Sequence, residues 1–200
     1  MVNAQGQQKP STAGKTPEQK KAIKYLFGGG CLFGQVKDSD YDAMVKDAAD
    51  KMNFKQKALG KIGLDEDQVN EIKPVTFQNY KVDKTSYDKL GKDGKWRSSK
   101  YQVTWLFFSS TQVYMYSYTL NMDSDAKSEQ TEEYFYKDIV NFSTTTVTEE
   151  KWVGLKKENI ETSQFVITVP GDKFYAAVEA SDEVERSIQA MKQKLREKKM

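Results

Sequence analysis

The sequence predicts an α+β fold: a helical segment, then seven antiparallel strands, then one helix that carries the chain to its end. Three observations predict it. Before Pro74 the apolar residues recur at three- and four-residue steps, and from Val75 they alternate with a period of two. The alternating runs are short, rich in aromatic and β-branched side chains, and stop at Ser181. Beyond Ser181 one strongly amphipathic stretch remains, with acids in its first turn and bases in its last.

Residues 1–15 are rich in Gln, Gly, Ser, Thr and Lys, have little to bury, and read as a flexible arm. Thr16-Pro17-Glu18-Gln19 opens a helix: Thr16 is the N-cap, Pro17 sits where its missing N–H costs nothing, and Gln19 completes a capping box. This helix carries Ile23, Leu26 and Phe27 and halts at Gly28-Gly29-Gly30. Ser39 reads as the cap of the next helix, whose apolar face is Tyr41, Met44, Val45, Ala48, Met52 and Leu59. Gly60 and Gly63 end it. A short acidic helix from Leu64 turns Val69 and Ile72 inward and is closed by Pro74. The helical segment 16–73 is thereby set apart from residues 74–200.

Strands read over 75–82, 98–109, 111–122, 131–137, 139–147, 162–169 and 173–180. In the third of these, Val113, Met115 and Ser117 face one way, and Tyr114, Tyr116 and Tyr118 the other. Asp123–Lys127 and Pro170-Gly171-Asp172 are turns. Residues 81–100, with Gly91, Gly94 and scattered charges, read as a long loop, and 149–161 as a polar connection. Ser181 caps the last helix, whose stripe of Val184, Ile188, Met191 and Leu195 must dock on the strands. A lone helix of this length does not persist in water.

Two stretches carry a family resemblance. Trp105-Leu106-Phe107-Phe108-Ser109-Ser110-Thr111-Gln112-Val113-Tyr114-Met115-Tyr116 resembles the central hairpin of bacterial pleckstrin-homology-like (PH-like) and GRAM-type domains. Tyr134-Phe135-Tyr136-Lys137-Asp138-Ile139-Val140-Asn141-Phe142 is similar to their recurring aromatic strand with an Asp-Ile turn. The resemblance covers about 74–198 and implies a seven-stranded antiparallel barrel capped by the terminal helix. Residues 16–73 lie outside it. It also implies a binding scaffold for phosphoinositides, peptides or protein surfaces, among which fold alone does not choose.

Charge and composition remove several function classes. The 31 basic and 29 acidic residues leave a net charge of +2, so no global field recruits nucleic acid, and no nucleic-acid partner is expected. The chain has no histidine and one cysteine, Cys31, which excludes His/Cys zinc sites, Ser-His-Asp and Cys-His catalysis, and an intrachain disulfide. The Gly-rich approach to Cys31 has the look of a lipoprotein cleavage site, but Lys24 interrupts the apolar run. The reading is a cytoplasmic protein without cofactor, metal or catalytic set.

The remaining local motifs have bland explanations. Gly14-Lys15-Thr16 lacks the first glycine and the preceding strand of a phosphate loop. Asp123–Glu129 starts like a calcium loop, but Lys127 and Ser128 replace a ligand and the required glycine. Adjacent Glu132 and Glu133 point to opposite faces of a strand and cannot act as an acid/base couple. An enzymatic reading would need carboxylates, tyrosines or lysines converging from distant strands.

Two surfaces stay as candidates. Lys84, Lys89, Lys92, Lys95, Arg97 and Lys100 lie in the first long connection, where the lipid-binding members of the resembled family hold anionic headgroups, although Asp83, Asp88 and Asp93 are interspersed. Tyr114, Tyr116 and Tyr118, with Leu32 and Phe33, are candidates for protein binding if the helical segment leaves the tyrosine face open. The leading expectation is a non-enzymatic binding or adaptor module that recognises a protein partner or its own copies. The alternative is peripheral binding of a membrane surface through 84–100.

Overall fold

A computed structural model of the chain describes residues 8–28, 34–69, 71–153 and 156–199. Helix α1, Pro17–Phe27, starts at the capping box that the sequence predicts. Thr16 Oγ1 accepts from the Gln19 N–H at 3.2 Å, and Gln19 Oε1 accepts from the Thr16 N–H at 3.0 Å.

The single helix expected from Ser39 to Leu59 is two, α2 (Asp38–Asp50) and α3 (Phe54–Ile62). Lys37 holds the N-cap position of α2, and Ser39 lies inside its first turn. The break falls at Asn53, whose φ of 45° is left-handed, a conformation that asparagine tolerates. Breaking there lets α2 pack on α1 while α3 turns onto the strands. A 3-10 turn, Glu66–Val69, stands in place of the short acidic helix and buries Val69.

The described residues form nine strands: β1 (Val75–Tyr80), β2 (Asp88–Leu90), β3 (Trp96–Ser98), β4 (Lys100–Phe108), β5 (Gln112–Asn121), β6 (Ser128–Phe135), β7 (Asn141–Val153), β8 (Lys156–Val169) and β9 (Asp172–Val178). They pair antiparallel in three sheets, β1-β4-β5-β6, β2-β3 and β7-β8-β9. The ladder does not close into one barrel. Between β1 and β9 side-chain amides stand where backbone bonds would run. Asn79 Nδ2 donates to the Val178 carbonyl and the Ala177 N–H donates to Gln102 Oε1, both at 2.8 Å.

Two connections read as loops are ordered differently. Residues 81–100 contain the β2–β3 hairpin, whose three-residue strands are too short to show alternation. Residues 149–161 are not a connection, because β7 and β8 run on as a paired ribbon through Glu149↔Ile160 and Glu150↔Asn159. Their charged side chains mask the strand period.

Strand β5 is buried on both faces. Val113 and Met115 join Phe77, Leu106, Phe142, Phe165 and Ile167 in the core between the two larger sheets. Tyr114, Tyr116 and Tyr118 pack on the opposite side with Phe54 and Ala58 of α3. A third cluster joins α1 and α2 through Ile23, Tyr25, Phe27, Tyr41 and Val45. The closing helix α4, Asp182–Lys199, buries Ile188, Met191 and Leu195 against the main core. Those three side chains contribute roughly 5–9 kcal/mol of burial before chain entropy opposes it. Lys194 and Lys198 then clamp Glu71 at 2.7 and 2.9 Å.

Candidate functional site

The site is built where α2, the β2–β3 hairpin and the end of β1 meet. Tyr41 and Asp42 are neighbours on α2 and so point to different sides. Tyr41 is fully buried and its hydroxyl donates to the Ser98 carbonyl at 2.8 Å. Asp42 is taken by Arg97, whose Nε and Nη2 reach its two oxygens at 2.8 and 2.6 Å. The same guanidinium grips Asp93 with Nη1 and Nη2, both at 2.8 Å. Tyr80, at the end of β1, donates its hydroxyl to Asp42 Oδ1 at 2.7 Å. Two carboxylates thus converge on one cation that is only 3% exposed, and the phenol seals one of them.

The charges follow from this geometry. Burial raises the Asp42 pKa, but hydrogen bonds from Arg97 and Tyr80 outweigh it and hold the carboxyl below the usual range. The Arg97 hydrogen bond, followed by the Lys95 N–H, holds Asp93 far lower still. Burial, and then the Asp42 contact, push the Tyr80 phenol far above its ordinary value. Neither Asp42 nor Tyr80 exchanges a proton near neutrality. The cluster braces α2, the end of β1 and the β2–β3 hairpin against one another.

Aromatic rings run from the buried side of the cluster to its open side. Tyr25, Tyr41 and Tyr80 stack in sequence at centroid distances of 4.2 and 6.1 Å, and Tyr101 meets Tyr80 edge-on at 5.4 Å. Beside Tyr80 and Tyr101 opens a cleft of about 670 Å³, lined by α2 (Asp42, Val45, Lys46, Ala49, Asp50), by Tyr80, Lys95, Trp96 and Tyr101, and by Glu161–Ser163 and Val178–Ala180. Lys95 and Glu179 face each other across its rim at 3.8 Å. A smaller hollow of about 250 Å³ shares Tyr80, Val82, Thr162 and Ser163 with it and extends it past Lys84, Gln102 and Tyr175. Together they make one trough along the seam between the sheets.

The six basic residues of 84–100 do not form one patch. Lys89 donates to the Tyr25 carbonyl at 2.8 Å and lies 4.2 Å over the Tyr25 ring, and burial lowers its pKa. Arg97 is held as above, and Lys100 pairs with Asp83 at 3.0 Å. Lys84, Lys92 and Lys95 are exposed, with Lys95 at the cleft rim. The aspartates that the sequence intersperses supply, with α1 and α2, the internal partners of the other three.

The tyrosine face is covered. Tyr114, Tyr116 and Tyr118 are 8%, 0% and 3% exposed beneath α3, so they present no docking surface. Phe54 meets Tyr118 at 5.4 Å, Lys57 lies 4.2 Å over its ring, and Tyr116 donates to Glu129 at 2.7 Å. Leu32 and Phe33 lie outside the described residues, as does Cys31.

Sequence reasoning missed Asp42, Tyr80, Glu161 and Glu179. Arg97 and Asp42 are 55 positions apart, and Tyr80 and Asp42 are 38 apart, so no local spacing joins them. The available signal was the buried Tyr41 beside a carboxylate on a helix facing a basic loop. Among the described residues no group of three or more acidic side chains is arranged to hold a metal ion, and no helix is long and apolar enough to cross a membrane. No family model, curated protein or solved structure matches the chain, and its site is read from its own geometry.

Proposed function

We propose that this chain is a non-enzymatic recognition module whose β-rich part is PH-like and whose trough receives an extended segment of a protein partner. Four strands in one sheet, three in the next and a helix packed at the end support the PH-like reading of 74–198. In that reading the β2–β3 hairpin is an insertion in the first long connection. The two sheets remain separate ladders, so the barrel is an open one.

One observation carries the functional reading: the guanidinium at the base of the trough is spent on internal carboxylates, while its walls set aromatic and amide groups beside the charges of Lys46, Asp50 and Glu161. Arg97 is satisfied by Asp42 and Asp93, and Lys95 faces Glu179. Trp96, Tyr80 and Tyr101 remain as contact area, with Gln78, Asn79, Thr162 and Ser163 as hydrogen-bonding groups. Large, rigid aromatic area beside adaptable polar groups suits peptide recognition more than turnover. The committed cations of 84–100 favour a protein partner over a lipid headgroup.

Photo-crosslinking tests this. A benzoylphenylalanine at Asp50, on the trough wall, is expected to capture one discrete protein in the native cell, and the same group at Gln189 on exposed α4 is not. Charge reversal Glu161→Lys should abolish the adduct. Equal labelling from both positions, or a trough adduct indifferent to Glu161→Lys, would count against the reading.

A further inference from the structure

The two larger sheets have four end strands, and three of them are accounted for. Strands β1 and β9 face each other across the seam, bridged by Asn79 of β1 and, from the neighbouring β4, by Gln102. Strand β6 carries Glu129, Glu132 and Glu133, charges that discourage another strand from pairing there. Strand β7 is different. It ends its sheet, it spans Asn141–Val153, and its first eight residues, Asn141 to Thr148, contain no charge, no proline and no glycine. Thr144, Thr146 and Thr148 are exposed along it. A long, β-branched, uncharged edge is the kind that proteins blunt unless something pairs with it.

We infer that β7 pairs antiparallel with β7 of a second copy of this chain, forming a two-fold dimer with a continuous six-stranded sheet. This interface is distinct from the trough and does not depend on it. Antiparallel self-pairing of the uncharged run about Thr145 keeps opposite side chains on one face and places Phe142 opposite Thr148 of the second copy and Thr144 opposite Thr146. No like charges meet, and threonine pairs are favourable cross-strand neighbours.

Charge selects the partner and the register. Continuing the same register brings Glu149 and Glu150 of the second copy, the latter also paired with Lys157 of its own chain, opposite Asn141 and Val140. Beside Val140 and Asn141 lies a groove of about 360 Å³ whose basic rim is Lys192, Arg196 and Lys199 of α4. Val140 is 58% exposed there. By the two-fold, the acidic end of each β7 therefore reaches the basic groove of the other copy, and each exposed Val140 is covered. An isologous interface of this kind closes at two subunits.

Sedimentation velocity or native mass spectrometry on the full chain tests the inference, with backbone hydrogen exchange as a second readout. A concentration-dependent dimer is expected, with exchange across 141–148 slowing as dimer forms. The double variant Thr144→Lys/Thr146→Lys places like charges opposite each other at exposed positions and should raise the dimer dissociation constant at least about tenfold. An unchanged circular dichroism melt will show that the variant folds. Arg196→Glu should weaken the dimer, and Arg196→Glu combined with Glu150→Lys should restore it. A chain that is monomeric at every concentration, or a dimer that survives Thr144→Lys/Thr146→Lys, overturns the assignment. Glu161→Lys in the trough is expected to leave the dimer intact, which separates failure of this interface from failure of the recognition site.

Discussion

The side-chain oxygen of Gln102 on β4 accepts the Ala177 N–H of β9 at 2.8 Å, so one amide side chain ties the two larger sheets together. Its nitrogen donates to Ser117 Oγ at 3.0 Å, and Ser117 shares a hydrogen bond with Thr104 at 3.0 Å. All three side chains are buried. Replacing Gln102 by leucine would strand the Ala177 N–H and leave Ser117 with Thr104 alone, at about 1–3 kcal/mol. Urea denaturation of Gln102→Leu should show a matching drop in midpoint with little change in slope. A drop under about 0.5 kcal/mol would mean that water or a shifted neighbour satisfies the seam.

Arg97 should be irreplaceable by lysine. Its fork serves two carboxylates at once, whereas an ammonium offers no such planar geometry. Arg97→Lys and Arg97→Met are both expected to destabilise by about 2–3 kcal/mol, less than a fully buried pair because solvent reaches the carboxylates. Thermal unfolding checks this. Full retention of stability in Arg97→Lys would dismiss the brace.

Two glycines should respond in opposite directions. A Cβ at Gly91 would collide with Arg97 Nη1 and lie 2.6 Å from Asp93 Oδ1, both in the ion cluster, and 2.9 Å from the neighbouring Asp38 Oδ2. Gly91→Ala should cost about 1–3 kcal/mol through displacement of that cluster. Gly60 lies within α3 with nothing inside 4 Å of a Cβ, and Gly60→Ala should stabilise by about 0.5–1 kcal/mol. Chemical denaturation of the two single variants gives both signs.

Acid should loosen α4. Hydrogen bonds from Lys194 and Lys198, reinforced by their charge, hold Glu71 at about 2 against an ordinary 4.5. A depressed carboxyl pKa stabilises the fold fully above its unfolded value and loses that contribution as pH falls through the folded one. The advantage of the wild type over Glu71→Gln should therefore be constant above about pH 5 and fade toward pH 2. Melting curves of the pair across that range read it directly. A difference that grows on acidification would contradict the clamp.

Much of the fold was legible because its signals are local. The Thr16–Gln19 box, the cap at Ser181 and the stripe of α4 each lie within a few residues. The alternation of 98–109 and 111–122 became β4 and β5 nearly to the residue. What stayed hidden is non-local or too short. Asn53 breaks a helix whose apolar spacing continues across the break, and β2 and β3 have three residues each. The trough joins residues 42, 80, 97, 161 and 179, which no window contains. The basic loop illustrates the limit: its charges and the aspartates among them are visible in sequence, but Asp42 and the Tyr25 carbonyl, which hold Arg97 and Lys89, come from α2 and α1.

The double burial of β5 has a practical meaning for anyone dividing this polypeptide. Cutting at Pro74, where the periodicity changes, would strip the α3 roof from Tyr114, Tyr116 and Tyr118 and bare an oily wall three aromatics long. A fragment starting there should precipitate or capture chaperones, and adding the first 73 residues back in trans should rescue its solubility.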